Sequence, residues 1–185
     1  MNPGCLAAVQ IEMTSDDIKK LIRDIPDFPK PGILFRDITP LIGEARGLAA
    51  IVDQVAEPWL GKVDMVLGIE SRGFIFGAPV AYRLGVGLTI VRKPGKLPFR
   101  VVDESYDLEY GSAALEMHQD SLTGKSRVLV VDDLLATGGT ALAAIRLAHK
   151  VGSEVVGCTF VIELNALNGR ERLAPVPCFS LVQYD

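Results

Sequence analysis

The stretch Arg127-Val128-Leu129-Val130-Val131-Asp132-Asp133-Leu134-Leu135-Ala136-Thr137-Gly138-Gly139-Thr140 reads as a strand, a tight turn and a helix start. A β-branched apolar run ends in two carboxylates, and a small-residue loop follows. The loop opens into Ala141-Leu142-Ala143-Ala144-Ile145-Arg146-Leu147, a strong helix former. Small side chains in the turn leave backbone N–H groups facing open space, and a helix start with free amides binds phosphate. Taken alone, the turn could be an ordinary connection with Thr137 or Thr140 as N-cap. The acid pair argues otherwise. Two carboxylates at the end of a buried strand need solvent, a cation or ligand hydroxyls beside them. A bare phosphate would be repelled, whereas the hydroxyls of a sugar carrying that phosphate would be held. The segment therefore predicts a grip for a ribose 5-phosphate group.

Outward from this stretch, strands and helices alternate. Apolar runs at 64–69, 88–92, 128–131 and 154–162 predict buried strands, and 46–60, 74–84 and the segment after Thr140 predict helices. The segment 113–118 predicts a short pairing strand, and 180–182 an edge. This pattern implies an α/β fold with a mostly parallel sheet. Ser15 is the expected N-cap of a first helix, with Asp16 and Asp17 in its first turn. Pro26, Pro29 and Pro31 then force an extended, stiff excursion that runs into 33–38. The polar stretch 93–110 has little periodicity and four acids, and it predicts a long functional loop. Residues 1–14 are expected to be a loose extension, and 15–185 a single domain.

The bulk properties narrow the function. The chain has 185 residues, 49 % of them hydrophobic, which suits one domain with a sizeable core. A net charge of −4 argues against a general nucleic-acid binder. Cys5, Cys158 and Cys178 form no Cys-x-x-Cys pattern, so neither a zinc site nor a disulfide framework is expected, and a reducing, cytoplasmic setting is the simplest reading. No apolar run approaches the roughly 18 residues of a membrane span. The Gly124-Lys125-Ser126 fragment lacks the earlier glycine of a P-loop, since Gln119 stands there, and a strand follows it. His118 and His149 stand isolated.

Three further segments could carry chemistry. Gly68-Ile69-Glu70-Ser71-Arg72-Gly73 joins a buried strand to a helix and would bring N–H groups and Arg72 to the same sheet edge. Arg92-Lys93-Pro94-Gly95-Lys96 gathers three cations at another strand end, which suits a multiply charged anion such as pyrophosphate. Ser105-Tyr106-Asp107-Leu108-Glu109-Tyr110-Gly111 ends the long loop and could close over substrate, with Glu109 as proton donor or acceptor.

The segment 130–140 resembles the phosphoribosyl pyrophosphate (PRPP) signature of the type I phosphoribosyltransferases. Phe28-Pro29-Lys30-Pro31-Gly32, Phe35-Arg36-Asp37-Ile38, Glu70-Ser71-Arg72-Gly73-Phe74, Arg92-Lys93-Pro94-Gly95-Lys96-Leu97-Pro98 and Tyr106-Asp107-Leu108-Glu109-Tyr110-Gly111 resemble its adenine-using members, in the same order. The resemblance implies a mostly parallel twisted sheet flanked by helices, an N-terminal hood at about 15–40 and a mobile lid loop. It implies the reaction of adenine with PRPP to AMP and pyrophosphate, with Mg²⁺ carried by PRPP and water, and a homodimer without nucleic-acid or membrane partners. Asp132 and Asp133 would face the ribose hydroxyls, and Ala136, Thr137, Gly138, Gly139 and Thr140 would wrap the 5′-phosphate. Glu70, Ser71 and Arg72, with a cis peptide at Glu70-Ser71, and Arg92, Lys93 and Lys96 would meet pyrophosphate, Arg92 reaching across a dimer interface. Leu34 and Arg36 would sit over adenine. Glu109, Tyr110 and Arg72 would serve catalysis. A relative using another purine base and a non-catalytic PRPP-sensing regulator are the alternatives. The regulator would need a DNA-binding domain or basic face, and the short segment before the fold is too small for one.

Overall fold

The structure, a computed structural model, describes residues 13–107, 112–122 and 124–185. The chain divides into two compact units, one ending at Asp53 and one of Gln54–Asp185.

The first unit begins with helix α1 (Ser15–Lys20). Its N-cap is Thr14, one residue before the expected Ser15. Thr14 Oγ1 accepts the Asp17 N–H at 3.2 Å and donates to the Asp17 carboxylate at 2.7 Å. The shift has a plain cause: Thr14 finds an acid three residues on, whereas Ser15 has Ile18 there. The proline-rich excursion is a hairpin of strands β1 (Arg23–Pro26) and β2 (Leu34–Asp37), antiparallel with Ile25 opposite Phe35. At its tip, Asp27 (φ 57°) accepts the Gly32 N–H at 2.7 Å, the Phe28–Pro29 bond is cis, and Phe28 packs edge-on against Phe35. Short helix α2 (Thr39–Gly43) follows, and helix α3 (Ala45–Ala56) runs across the boundary at Asp53.

In the second unit, five parallel strands are ordered β4-β3-β7-β8-β9: β3 (Met65–Ile69), β4 (Gly87–Val91), β7 (Arg127–Leu135), β8 (Glu154–Leu164) and β9 (Cys178–Tyr184). Helix α4 (Gly73–Leu84) packs on β3 and β7, and α5 (Gly139–Lys150) on β7 and β8. Leu67, Val128, Val130, Leu147 and Phe160 are among the buried side chains between these layers. Short helix α6 (Gly169–Leu173) leads into β9. Parallel strands flanked by helices have both faces covered, which is why they read as continuous apolar runs.

Two expectations need correction. The stretch 93–110 is not a loop throughout: β5 (Val101–Asp107) pairs antiparallel with β6 (Ser112–His118). Its acids hid the alternation. Glu104 is satisfied by Arg146 at 3.2 Å and Lys150 at 2.7 Å on α5, while its same-face neighbours Val102 and Tyr106 pack on the core. Strand β7 also does not stop at Val131; it carries both carboxylates inside it, paired with β8 as far as Leu135 opposite Glu163.

A bulge in β8 shifts the register between Val128 and Leu129, and Gly157 there lies under the ring of Trp59. A Cβ on Gly157 would come within 1.9 Å of that ring. Gly157→Ala is therefore expected to destabilise the fold by about 1–3 kcal/mol or more through overpacking. Urea unfolding followed by the fluorescence of the single tryptophan reads this directly; an unchanged midpoint would contradict the contact.

Candidate functional site

The carboxyl ends of β3 and β7 enclose a cleft of about 410 Å³. Its lining includes Glu70, Ser71, Arg72, Lys93, Asp132, Asp133 and all five residues from Ala136 to Thr140. In open α/β sheets this edge is where ligands collect. The structure thus brings together the turn after β7, the acid pair and the turn after β3.

The turn after β7 leaves a helix start open to the cleft, an arrangement that can receive an anion. Gly138, at φ 77°, is the N-cap of α5, and no side chain caps the helix. The first-turn amides of a twelve-residue helix therefore start at the cleft wall. Neither Thr137 nor Thr140 acts as the cap. The Thr140 hydroxyl instead donates to the Tyr106 hydroxyl at 3.3 Å.

Beside this turn sit the two carboxylates. Asp133 is 4 % exposed and its Oδ2 lies 2.9 Å from Arg72 Nε. Asp132 Oδ1 accepts the Asp133 N–H at 2.9 Å. Burial, then the adjacent Asp133 charge, push the Asp132 carboxyl well up from its ordinary value. Burial also pushes Asp133 up, against the pull of Arg72. The pair is under electrostatic pressure that hydroxyl donors or added positive charge would relieve. Close approach of α4 contributes: a Cβ on Gly73 would lie 2.9 Å from Asp132 Oδ1, so only glycine fits at that helix start.

The turn after β3 contains the cis Glu70–Ser71 peptide that the family resemblance implies. Glu70 has a role that the charge pattern did not reveal. It faces inward and organises the cations: Lys96 Nζ lies 2.7 Å away, the Lys93 N–H 2.9 Å and Arg92 Nη2 3.3 Å. Burial alone would raise this carboxyl, but Lys96, the Lys93 amide and Arg92 together hold it down at about 2. Lys93 lines the cleft, whereas Arg92 and Lys96 meet on Glu70 and are not among the lining residues. Arg92 also donates to the Lys96 carbonyl at 3.1 Å, which ties the cationic turn to itself.

Sequence reasoning missed Tyr106, Leu115, Leu134, Leu135 and Ala141 as lining residues. For Tyr106 the available signal was its position two residues from Glu104, on the face of β5 turned to α5. Leu34 and Arg36 lie on β2 of the first unit; Leu34 is 45 % exposed, and the Arg36 guanidinium pairs with Asp24 across the hairpin. Glu109 and Tyr110 lie outside the described residues. No group of three or more His, Cys, Asp or Glu converges as a metal cluster among the described residues, and no helix there is long and apolar enough to cross a membrane.

Comparison with known proteins adds independent findings. Residues 37–184 match the phosphoribosyl transferase domain. Over 171 residues the chain is 56 % identical to an adenine phosphoribosyltransferase of Nostoc punctiforme, covering 91 % of this chain and 99 % of that protein. The crystal structure of adenine phosphoribosyltransferase from Thermoanaerobacter pseudethanolicus superposes with a TM-score of 0.90 at 46 % identity, over 92 % of this chain and 100 % of that one. The Saccharomyces cerevisiae enzyme, solved with an imino-altritol bisphosphate and adenine, gives a TM-score of 0.86 at 37 % identity, over 91 % and 98 % of the two chains.

The position of Glu70 generates a prediction. Its folded pKa of about 2 lies below the ordinary 4.5, so its stabilising effect is complete above pH 4.5 and is lost as the pH falls toward 2. Glu70→Gln is expected to be less stable than the parent near neutrality, with the gap closing between pH 4.5 and 2. Denaturant midpoints across that window check it; a pH-independent gap would contradict the arrangement.

Proposed function

The chain belongs to the adenine phosphoribosyltransferases of the phosphoribosyl transferase family, and on that premise we propose how its own residues carry the transfer. The reaction joins adenine to PRPP, giving AMP and pyrophosphate, a pentosyl transfer of purine salvage. At the sugar's anomeric carbon the bond to pyrophosphate oxygen breaks and a bond to an adenine ring nitrogen forms. Departure of pyrophosphate runs ahead of attack, leaving an oxocarbenium-like sugar, as in glycoside cleavage.

The amides of residues 137–140 hold the 5′-phosphate, and Asp132 and Asp133 accept the ribose hydroxyls. The observation that carries this reading is the juxtaposition in one cleft of an uncapped helix start and an acid pair of which Asp133 is buried and Asp132 half-buried. A phosphate complements the helix start, while hydroxyl donors relieve the pair without adding negative charge. The leaving pyrophosphate lies along Glu70, Ser71 and Arg72, with Lys93 in the wall and Arg92 and Lys96 held behind it by Glu70. Because those cations are anchored before substrate arrives, little reorganisation accompanies charge development on the leaving group. Leu34 and Arg36 serve the adenine end. Glu109, with Tyr110, acts from the lid on the proton of the attacking nitrogen, and closure keeps water from the activated sugar.

Mg²⁺ fits this donor set as an ion carried by PRPP. It prefers oxygen ligands and retains several waters, and the carboxylates of Asp133 and Glu70 are already committed to Arg72, Lys96 and Arg92. When bound it neutralises charge on the pyrophosphate oxygens.

The working enzyme is a homodimer in a reducing cytoplasm. Ile75, 41 % exposed, and Tyr82, 89 % exposed, share one face of α4, and Leu88 on the adjoining outer strand β4 is 38 % exposed. These side chains supply an apolar surface for a second copy. Cys158 and Cys178 are free thiols although they sit opposite each other on β8 and β9.

Purified protein with PRPP, Mg²⁺ and each purine in turn tests the activity; AMP formation is expected with adenine, and none with adenine would overturn it. Asp132→Asn with Asp133→Asn is expected to weaken PRPP binding by about tenfold or more, measured by calorimetry, since charged hydrogen bonds contribute roughly 1.5–3 kcal/mol. Glu109→Gln is expected to lower kcat by about 10²–10⁴-fold with little change in PRPP affinity. Unchanged turnover at saturation would remove Glu109 from the chemistry.

A further inference from the structure

Behind the phosphate-binding turn lies a second backbone segment that the sequence did not flag. Gly169, the first residue of α6, packs against residues 136–138 without room for a methyl group between them. A Cβ on Gly169 would come within 2.1 Å of the Ala136 carbonyl oxygen, and a Cβ on Gly138 within 2.7 Å of the Gly169 carbonyl oxygen. The turn therefore packs directly on Gly169, which is not among the cleft-lining residues, and both glycines are needed for that approach.

Gly169 is in turn fixed by its neighbour. The Arg170 guanidinium makes a fork with the Glu163 carboxylate, donating from Nε to Oε1 at 2.9 Å and from Nη2 to Oε2. It also reaches the Cys178 carbonyl at 2.5 Å and the Ser180 hydroxyl at 3.3 Å. Glu163 is 4 % exposed near the end of β8, while Cys178 and Ser180 belong to β9. One side chain thus staples the connection after β8 to two strands of the sheet. A planar fork with several partners fixes position far better than a single-point ammonium contact would. Burial alone would raise the Glu163 carboxyl, yet the Arg170 and Ser180 hydrogen bonds leave it lowered.

We propose that Glu163 and Arg170 are positioning residues for PRPP: by locking Gly169 in place they set the backbone of residues 136–140 in its phosphate-binding shape. The inference rests on the reading of that turn as the 5′-phosphate site. Neither residue lines the cleft. Their effect passes through Gly169, and it falls on the ribose-phosphate end of the substrates. Adenine does not use the turn, so its own KM is left alone.

Two variants test the linkage by different routes. Arg170→Lys keeps the positive charge and removes the fork. Gly169→Ala leaves the ion pair intact and pushes a methyl group into the Ala136 carbonyl. Both are expected to raise the KM for PRPP and the Kd of ribose 5-phosphate about tenfold, with kcat and the adenine KM within about twofold of the parent. Asp64→Asn is the comparison. It breaks another Arg–carboxylate fork, to Arg127, at the far end of β3, and is expected to lower the melting temperature while leaving the PRPP KM unchanged. A folded Arg170→Lys protein with PRPP KM and ribose 5-phosphate Kd within twofold of the parent overturns the proposal, whatever its melting temperature, and this variant decides alone if Gly169→Ala does not fold. Binding of ribose 5-phosphate and of ribose to the parent protein distinguishes failure of the positioning role from failure of the phosphate site. If ribose 5-phosphate binds the parent far more tightly than ribose while Arg170→Lys leaves its Kd unchanged, only the positioning role fails; if the phosphate adds nothing to the parent's affinity, the phosphate reading fails with it.

Discussion

The cleft is organised by the meeting of two electrostatic opposites at the end of one strand. Strand β7 delivers a half-buried Asp132 and a buried Asp133 to the cleft, and the helix that follows begins with uncapped amides. Each half is unfavourable alone: buried carboxylates lose hydration, and helix-start amides without a cap lack acceptors. A molecule with hydroxyl groups at one end and a phosphate at the other satisfies both. The short separation along the chain, from Asp132 to Thr140, places the two demands in one cleft.

The same logic explains the opposite wall. Cations gathered at one turn repel one another unless counterions stand between them. Glu70 removes that difficulty by accepting from Lys96, Arg92 and the Lys93 amide, and Asp133 does the same for Arg72. The cationic side chains are therefore held in place by internal counterions, and the scaffold bears the electrostatic work before substrate enters. Glycines complete the construction where backbones must nearly touch, at Gly73 against β7 and at Gly138 against Gly169.

Much of this was legible in the sequence because it depends on local chain chemistry. The apolar runs of β3, β7 and β8 are continuous since both sheet faces are covered, and the small residues 136–139 could only form a turn. The strand β5 was hidden because Asp103, Glu104 and Asp107 look like loop residues until α5 supplies Arg146 and Lys150 to receive Glu104. Glu70 looked like part of an anion-binding turn, and only the fold shows that it gathers cations separated from it by more than twenty residues. The role of Gly169 was invisible for the same reason, since its partner, Ala136, is distant in sequence. Local pattern disclosed the turn that lines the cleft; non-local packing disclosed what that turn packs against.

The central claim is that main-chain amides at the start of α5 bind the terminal phosphate of the sugar. Amide nitrogen and proton shifts of Gly138, Gly139 and Thr140, followed by NMR as AMP is added, measure this most directly. The account predicts large downfield amide-proton shifts at these residues that saturate with AMP, and much smaller ones with adenosine, which lacks the phosphate. Saturation of AMP binding with those resonances unmoved would contradict it.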